Sequence, residues 1–134
     1  MKRLLFILTS VFLFLTSCST LDYPVRVLGF SVTKFENEKV GRFIKIFTMQ
    51  KRDCFNKSLN IIKDLKARIT HKNFNKGYIV AFDFSKSFNY CLDSTEAAVF
   101  ITKIDNSNVK VEVVSNNSLL ARMLSVKFFE MLKL

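Results

Sequence analysis

The chain has 134 residues, 49% of them apolar, and its 21 Lys and Arg exceed its 11 Asp and Glu to give a net charge of +10. This length predicts one domain, or one domain with a processed segment. The apolar fraction excludes a disordered tail, and a content of three Gly and one Pro excludes a fibrous chain.

The N-terminal segment has the pattern of a secretory signal peptide. Lys2 and Arg3 precede an apolar run over residues 4–15 that only two polar residues interrupt. Signal peptides combine a basic start with an apolar run of about 7–15 residues, whereas a transmembrane helix needs about 20. We therefore expect residues 1–17 to be cleaved.

The end of this segment, Leu15-Thr16-Ser17-Cys18, resembles the lipobox of bacterial lipoproteins. The resemblance implies transfer of diacylglycerol to the Cys18 thiol and a mature protein held at a membrane by two or three acyl chains, which anchor stably where one chain would be marginal. Ser19 replaces the Asp that retains many such proteins at the inner membrane, which favours the outer membrane. An ordinary secretory signal with a chance Cys is the alternative.

The mature chain is predicted to have a lipidated tether over residues 18–24 and one domain over residues 25–134. Its remaining cysteines, Cys54 and Cys91, are an even pair in an exported protein, which predicts a disulfide. Closing a loop of about 38 residues stabilises a fold by roughly 4 kcal/mol in the chain-entropy model. A free reactive thiol is the alternative for either residue.

Two strands are predicted before the first helix. Residues 25–35 are rich in Val and Phe and change apolar phase across Gly29, which is typical of a bulged or edge strand. Residues 40–49 alternate apolar and polar side chains imperfectly and predict a second strand.

The clearest helical pattern follows Asp53, whose carboxylate is a suitable N-cap. Apolar residues then recur at helical spacing, with basic residues between them: Phe55, Leu59, Ile62, Leu65 and Ile69. A turn ending at Gly77, a residue that tolerates a positive φ, leads into a strand over residues 78–84. Residues 67–71 are predicted to pair with that strand as a short extra strand.

The last third of the chain predicts a hairpin and a helix. Residues 97–101 and 109–113 alternate apolar and polar side chains on either side of Asp105-Asn106-Ser107-Asn108, which indicates a β-hairpin. Asn117 or Ser118 then caps a final helix. Its apolar side is predicted to comprise Leu120, Met123, Leu124, Phe128 and Met131.

These elements predict an α+β fold with the order β-β-α-β-β-β-α. An antiparallel sheet with both helices packed on one face buries all the apolar stripes at once. The element order resembles that of small, uncharacterised bacterial envelope lipoproteins with a helix-grip-like domain. The resemblance implies an envelope location and attaches no activity.

Residues for catalysis or metal binding are sparse. His71 is the only histidine, and its neighbours include cations that lower its basicity. One His and unclustered cysteines do not predict a zinc site, and the carboxylates Asp83, Asp93 and Glu96 form no distinctive pair. We expect no enzyme activity, no metal and no cofactor.

The charge is distributed unevenly along the mature chain. Residues 34–76 contain twelve basic and four acidic residues, whereas residues 77–134 contain six of each. A/T-rich codon usage, which enriches Lys, is one explanation, and a surface for an anionic partner is the other. The candidate contact residues are six cations and two aromatic residues of a polar loop: Lys51, Arg52, Lys57, Lys63, Lys66, Arg68, Phe88 and Tyr90.

The leading functional hypothesis is a non-enzymatic lipoprotein of the bacterial envelope. It is anchored through Cys18, faces the periplasm, and binds a protein partner, an anionic lipid surface or a cell-wall polymer. An exported protein is a poor candidate for binding nucleic acid. The alternative is a periplasmic inhibitor that blocks a hydrolase with the loop containing Phe88 and Tyr90, and an enzyme using His71 ranks third.

Overall fold

The computed structural model of the chain describes residues 30–37, 41–88 and 96–134. The helices in these ranges are α1 (Phe30–Asn37), α2 (Lys51–Asp64) and α3 (Ser118–Lys133). The strands are β1 (Arg42–Thr48), β2 (Arg68–Asn73), β3 (Tyr78–Phe82), β4 (Ala97–Lys103) and β5 (Asn108–Val114). A 3-10 turn, Phe84–Lys86, follows β3.

The five strands form one antiparallel sheet in the order β1-β5-β4-β3-β2. The predicted β4–β5 hairpin is confirmed. Its turn is held by Asp105, whose Oδ1 accepts hydrogen bonds from the backbone N–H of Ser107 and of Asn108, each at 2.7 Å. The turn between β2 and β3 ends at Gly77, which has a φ of +72°, so this glycine adopts the conformation that the sequence predicted.

The main core lies between α2, α3 and one face of the sheet. Apolar side chains at helical spacing in both helices meet every second residue of the strands. Fully buried members of this core include Ile62, Leu65, Leu124, Phe128, Ile79, Val99 and Val111. The predicted cap of α3 is confirmed, because the side-chain oxygen of Asn117 accepts a hydrogen bond from the backbone N–H of Leu120 at 3.1 Å.

A second, smaller apolar cluster lies on the opposite face of the sheet. Val32 and Phe35 of α1 pack there against a buried residue from each of three strands, Val80, Ala98 and Val114. Helix α1 therefore covers part of the face that α2 and α3 leave open.

The α+β class and the antiparallel sheet are confirmed, but the predicted element order is wrong. The predicted strand over residues 25–35 overlaps α1, and its first five residues lie outside the described ranges. Val32 and Phe35, three residues apart, lie on one side of a helix, whereas a strand directs residues at an odd spacing to opposite faces. The sheet face beneath α1 offers the burial that favours the helix.

Three further boundaries differ from the prediction. The strand predicted over residues 78–84 ends at Phe82, and Phe84 begins the 3-10 turn. The short extra strand predicted over residues 67–71 is a six-residue strand, β2, at the edge of the sheet. Helix α2 begins at Lys51 after Gln50, whose side chain makes no capping hydrogen bond, so the predicted Asp53 cap is wrong. Asp53 lies instead in the first helical turn, where a carboxylate favours the helix dipole.

Candidate functional site

The six basic residues singled out from the sequence lie on and just after α2, and we call them the basic band. Lys51, Arg52, Lys57 and Lys63 belong to α2, Lys66 follows it, and Arg68 begins β2. The opposite side of α2 is fixed in the core by Cys54, Phe55, Ile61 and Ile62. Burial of that side directs Arg52 and Lys63 outward, where both are exposed, whereas Lys51 and Lys57 are half-buried.

Among the described residues, no salt bridge joins the basic band to a carboxylate, although the charge of Arg68 helps to lower the pKa of the Asp83 carboxyl. The ion pairs found among the described residues are Arg42 with Glu112, Lys110 with Glu112, and Lys86 with Asp83. Arg68 instead lies over the ring of Phe82, with its Cζ atom 5.8 Å from the ring centroid. The charges of the band are therefore available to an anionic partner, and salt is expected to weaken that contact by screening the charges.

The basic band is divided between two sides of α2. At 3.6 residues per turn, Arg52 and Lys63 lie within about 20° of each other around the helix. Lys57 is about 140° away from Arg52, on the side that also carries Asp53 and Asp64. Arg52 and Lys63 thus form the more strongly positive side, and Lys57 contributes less to a continuous basic surface than the sequence suggested.

The end of α2 places Lys66 in a conformation that sequence reasoning missed. Lys66 has a φ of +56°, and the N–H groups of Lys66 and Ala67 donate to the carbonyl oxygens of Lys63 and Ile62 at 2.8 and 3.3 Å. This is the Schellman pattern, which glycine usually occupies. Its effect is to turn the side chain of Lys66 out of the helix at the junction with β2, where it is exposed.

An aromatic and cationic cluster lies beside the start of α2. The ring of Phe74 meets that of Phe55 edge to face, with the centroids 5.4 Å apart. The Nζ of Lys51 lies 5.3 Å from the Phe74 centroid and donates a hydrogen bond to the carbonyl oxygen of Asn75 at 3.0 Å. Lys51 is therefore held in place by its neighbours, whereas Arg52 is exposed.

Helix α3 exposes apolar side chains that the sequence reasoning did not single out. Leu119 and Val126 are 50% and 57% exposed, and Met123 lies between them. With Phe88 and the polar residues Arg122, Lys127 and Glu130, they line an open groove of about 660 Å³. Leu119, Met123 and Val126 recur at the spacing i, i+4, i+7, which is typical of one side of a helix. The longer apolar stripe that faces the core has a similar spacing, so the sequence did not show which of the two is exposed.

Of the two aromatic residues predicted as loop contacts, Phe88 and Tyr90, the structure describes only Phe88. Phe88 is only 6% exposed and belongs to the main core, and the Nζ of Lys127 lies 5.7 Å from its ring centroid. Phe88 is therefore a wall of the groove and not the exposed contact that the sequence suggested. Tyr90 lies outside the described residues.

Cys54 is a fully buried free thiol at the first turn of α2. Burial raises the pKa of this thiol to about 11, while a hydrogen bond involving Ser58 and the charge of Lys57 act weakly in the opposite direction. Such a thiol is a poor nucleophile at neutral pH. Cys18 and Cys91 lie outside the described residues, so lipidation and the disulfide remain predictions.

The residues considered for chemistry are dispersed. His71 lies on the edge strand β2, paired in register with Val80. Asp83 accepts a hydrogen bond from Ser85 at 2.8 Å, which lowers the pKa of its carboxyl, with the charges of Lys86 and Arg68 acting in the same direction. Glu96 is buried at the start of β4, and Asp93 lies outside the described ranges. Among described side chains, no group of three His, Cys, Asp or Glu is placed to hold a metal ion.

Comparison with models of known protein families finds no match to this chain, and no curated protein matches it in sequence. Within residues 30–37, 41–88 and 96–134, no helix combines the length and the apolar character needed to cross a membrane.

Proposed function

We propose that this protein is a lipid-anchored, non-enzymatic protein of the bacterial envelope, and that its basic band contacts an anionic surface there. The sequence Leu15-Thr16-Ser17-Cys18 behind a signal-like segment supports the anchor. Ser19 favours the outer membrane as its location, with the domain facing the periplasm.

The observation that supports the contact surface most strongly is that Arg52, Lys63 and Lys66 form no salt bridge with the described residues. Arg52, Lys63 and Lys66 are exposed, and the ion pairs of the described residues all lie elsewhere. Each Lys or Arg near an anionic membrane contributes about 1 kcal/mol of binding. Three such residues are weak alone, but a lipid anchor raises their effective concentration at the surface.

Binding is a better proposal than catalysis because the sequence supplies few groups for acid–base chemistry. The single His71 is on an edge strand, and the Cys54 thiol is buried with a raised pKa. The proposed inhibitor role has less support, since the ring of Phe88, one of its two aromatic contacts, is in the core.

The test separates the anchor from the basic band. Cys18→Ala should move the protein out of the membrane fraction. In the anchored protein, the acyl chains alone keep the protein on the vesicle, so the readout is the association of the domain with the headgroups, measured by fluorescence energy transfer to labelled lipid. Arg52→Glu with Lys63→Glu should weaken this salt-sensitive association on anionic vesicles that carry no other protein. The matched control is Lys86→Glu with Lys103→Glu, which makes the same change in net charge at exposed sites outside the band.

If both charge-reversed pairs weaken the association equally, net charge alone is responsible and the band has no special role. If neither pair matters and salt has no effect, the band is a solvated surface without a partner.

A further inference from the structure

The exposed side of α3 has the pattern of a helix that lies on a membrane surface. Leu119 and Val126 are seven residues apart and hence within about 20° of each other around the helix, and both are at least half exposed. Met123 lies between them, about 40° from Leu119. The opposite side of α3 is buried through Leu120, Leu124, Phe128 and Leu132, and Met123 is partly buried against the same core. Leu119 and Val126 are therefore the side chains of the stripe that the core does not require.

Cations flank the stripe on both sides. Measured from Leu119, Arg122 lies about 60° to one side and Lys127 about 80° to the other. Both are exposed, and neither pairs with a carboxylate among the described residues. Glu130 is the acidic residue on this side and lies beyond Val126, toward the end of the helix. A narrow apolar stripe between cations is typical of interfacial helices, whose apolar side enters the headgroup region by about 5–10 Å.

The placement of α3 in the fold agrees with this pattern. Helices α2 and α3 pack on the same face of the sheet, so the stripe and the basic band both belong to the helical layer. A planar anionic surface can therefore meet apolar side chains from α3 and cations from both helices, whereas the opposite face of the sheet carries α1.

We propose that the exposed side of α3, from Leu119 to Val126, docks on the anionic surface of the lipid bilayer. The inference rests on the proposed lipid anchor, which keeps the domain within reach of the bilayer. It goes further by assigning the partner as lipid and the contact as apolar side chains that enter the headgroup layer, with Arg122 and Lys127 beside phosphate groups.

The chain has no Trp, so one introduced indole reports a single position without background. The lipidated protein carrying Val126→Trp is reconstituted into vesicles of anionic phospholipid that contain brominated acyl chains as quenchers. The matched control is Ile46→Trp, since Ile46 is 60% exposed and Val126 is 57% exposed. Ile46 is the neighbour of Phe47, which belongs to the main core, so the Ile46 side chain lies on the sheet face opposite α3. We expect a blue-shifted emission and strong quenching for Val126→Trp only.

A second arm tests the cations. In the Val126→Trp background, Arg122→Gln and Lys127→Gln should each lower the ratio of docked to undocked protein by about fivefold, the effect expected for one cation at an anionic membrane. The quenching of Val126→Trp should also be weaker in vesicles of neutral phospholipid than in anionic vesicles.

Sedimentation of the same vesicles reports the anchor independently. If the protein sediments with the vesicles but Val126→Trp stays unquenched, the α3 proposal is overturned while the anchor stands. Equal quenching at positions 126 and 46 also overturns it, because the contact is then not specific to α3. The indole of Val126→Trp can also be tested with a water-soluble quencher. If it is accessible to that quencher in lipid vesicles but protected in native envelope membranes, the lipid assignment is overturned and a protein covers the same stripe. Protein that does not sediment at all contradicts the proposed function itself.

Discussion

The guanidinium group of Arg42 on β1 is ion-paired with the carboxylate of Glu112 on β5. Its second terminal nitrogen donates to the main-chain oxygens of Phe35 and Glu36, at 2.7 and 2.9 Å. One side chain thus joins the edge strand to its neighbour and also satisfies the carbonyl groups at the end of α1. A cation at that end also favours the helix dipole, so the docking of α1 depends on Arg42 as much as on Val32 and Phe35.

Arg42→Met should destabilise the domain by about 2–4 kcal/mol, because it leaves the buried Glu112 with Lys110 alone and removes donors from two carbonyl groups. Urea unfolding measures the change. Lys86→Met is the control, since the pair of Lys86 with Asp83 is more exposed and such pairs contribute at most about 1 kcal/mol. Equal effects of the two variants would show that Arg42 does not hold α1.

Lys66→Gly should stabilise the domain by about 1 kcal/mol, because a side chain in the left-handed region carries a steric cost that glycine avoids. Lys63→Gly removes the same charge from the last turn of α2, where glycine should cost about 0.5–1 kcal/mol. The two variants are expected to change the free energy of unfolding in opposite directions. Destabilisation by both would contradict the left-handed conformation at position 66.

Gly77→Ala should destabilise the domain by at least about 2 kcal/mol. The positive φ disfavours any side chain there, and the new Cβ would lie only 2.2 Å from the carbonyl oxygen of Ile101, too close without a backbone shift. Thermal unfolding provides the measurement. Lys76→Ala, one residue earlier and exposed, should stay within about 0.5 kcal/mol of the parent protein. A tolerated alanine at position 77 would mean that this turn has a different conformation.

The reduced protein should lose stability as the pH rises from about 9 to about 11. Burial raises the pKa of the Cys54 thiol from 9.0 to about 11, so in that window the unfolded chain has released a proton that the folded protein still holds. Below pH 9 the contribution is fully present, and it disappears as the pH passes the folded pKa. Cys54→Ala should remove this part of the pH dependence, which unfolding curves at several pH values would reveal.

The predicted bond between Cys54 and Cys91 makes a separate prediction about the oxidised protein. Digestion without reductant should yield one peptide pair containing both cysteines, identified by its mass. Two separate peptides with alkylated thiols would show that Cys54 is the buried free thiol seen in the structure.

Sequence reasoning succeeded where a long periodic pattern determines the local structure. Helix α2, the β4–β5 hairpin and the Asn117 cap follow from side-chain spacing and local hydrogen bonding, which neighbouring residues largely decide. It failed for α1, because eight residues with two buried side chains depend on the sheet face beneath them and on Arg42. A distant pair such as Arg42 and Glu112 leaves no local signal.

The residues of the candidate site could likewise be predicted from the sequence only in part. The identity of the basic residues could be read from the sequence, and the spacing of Lys57 and Lys63 already places them on different sides of a helix. That Arg52 shares a side with Lys63 depends on the helix beginning before it, at Lys51. Phe88 could not be placed, since its burial depends on contacts with α3. The exposed stripe of α3 was missed because the predicted apolar side of this helix left out Leu119 and Val126, and only the packing of the helix shows that both are exposed.

Both proposals depend on acyl chains at Cys18 that anchor the protein to a membrane. Mass spectrometry of the N-terminal peptide of the mature protein, purified from its native membranes, tests this most directly. We expect a peptide that begins at Cys18 and carries the added mass of a diacylglyceryl group. A mature chain that begins elsewhere, or that begins at Cys18 with an unmodified thiol, would show that Cys18 carries no lipid anchor.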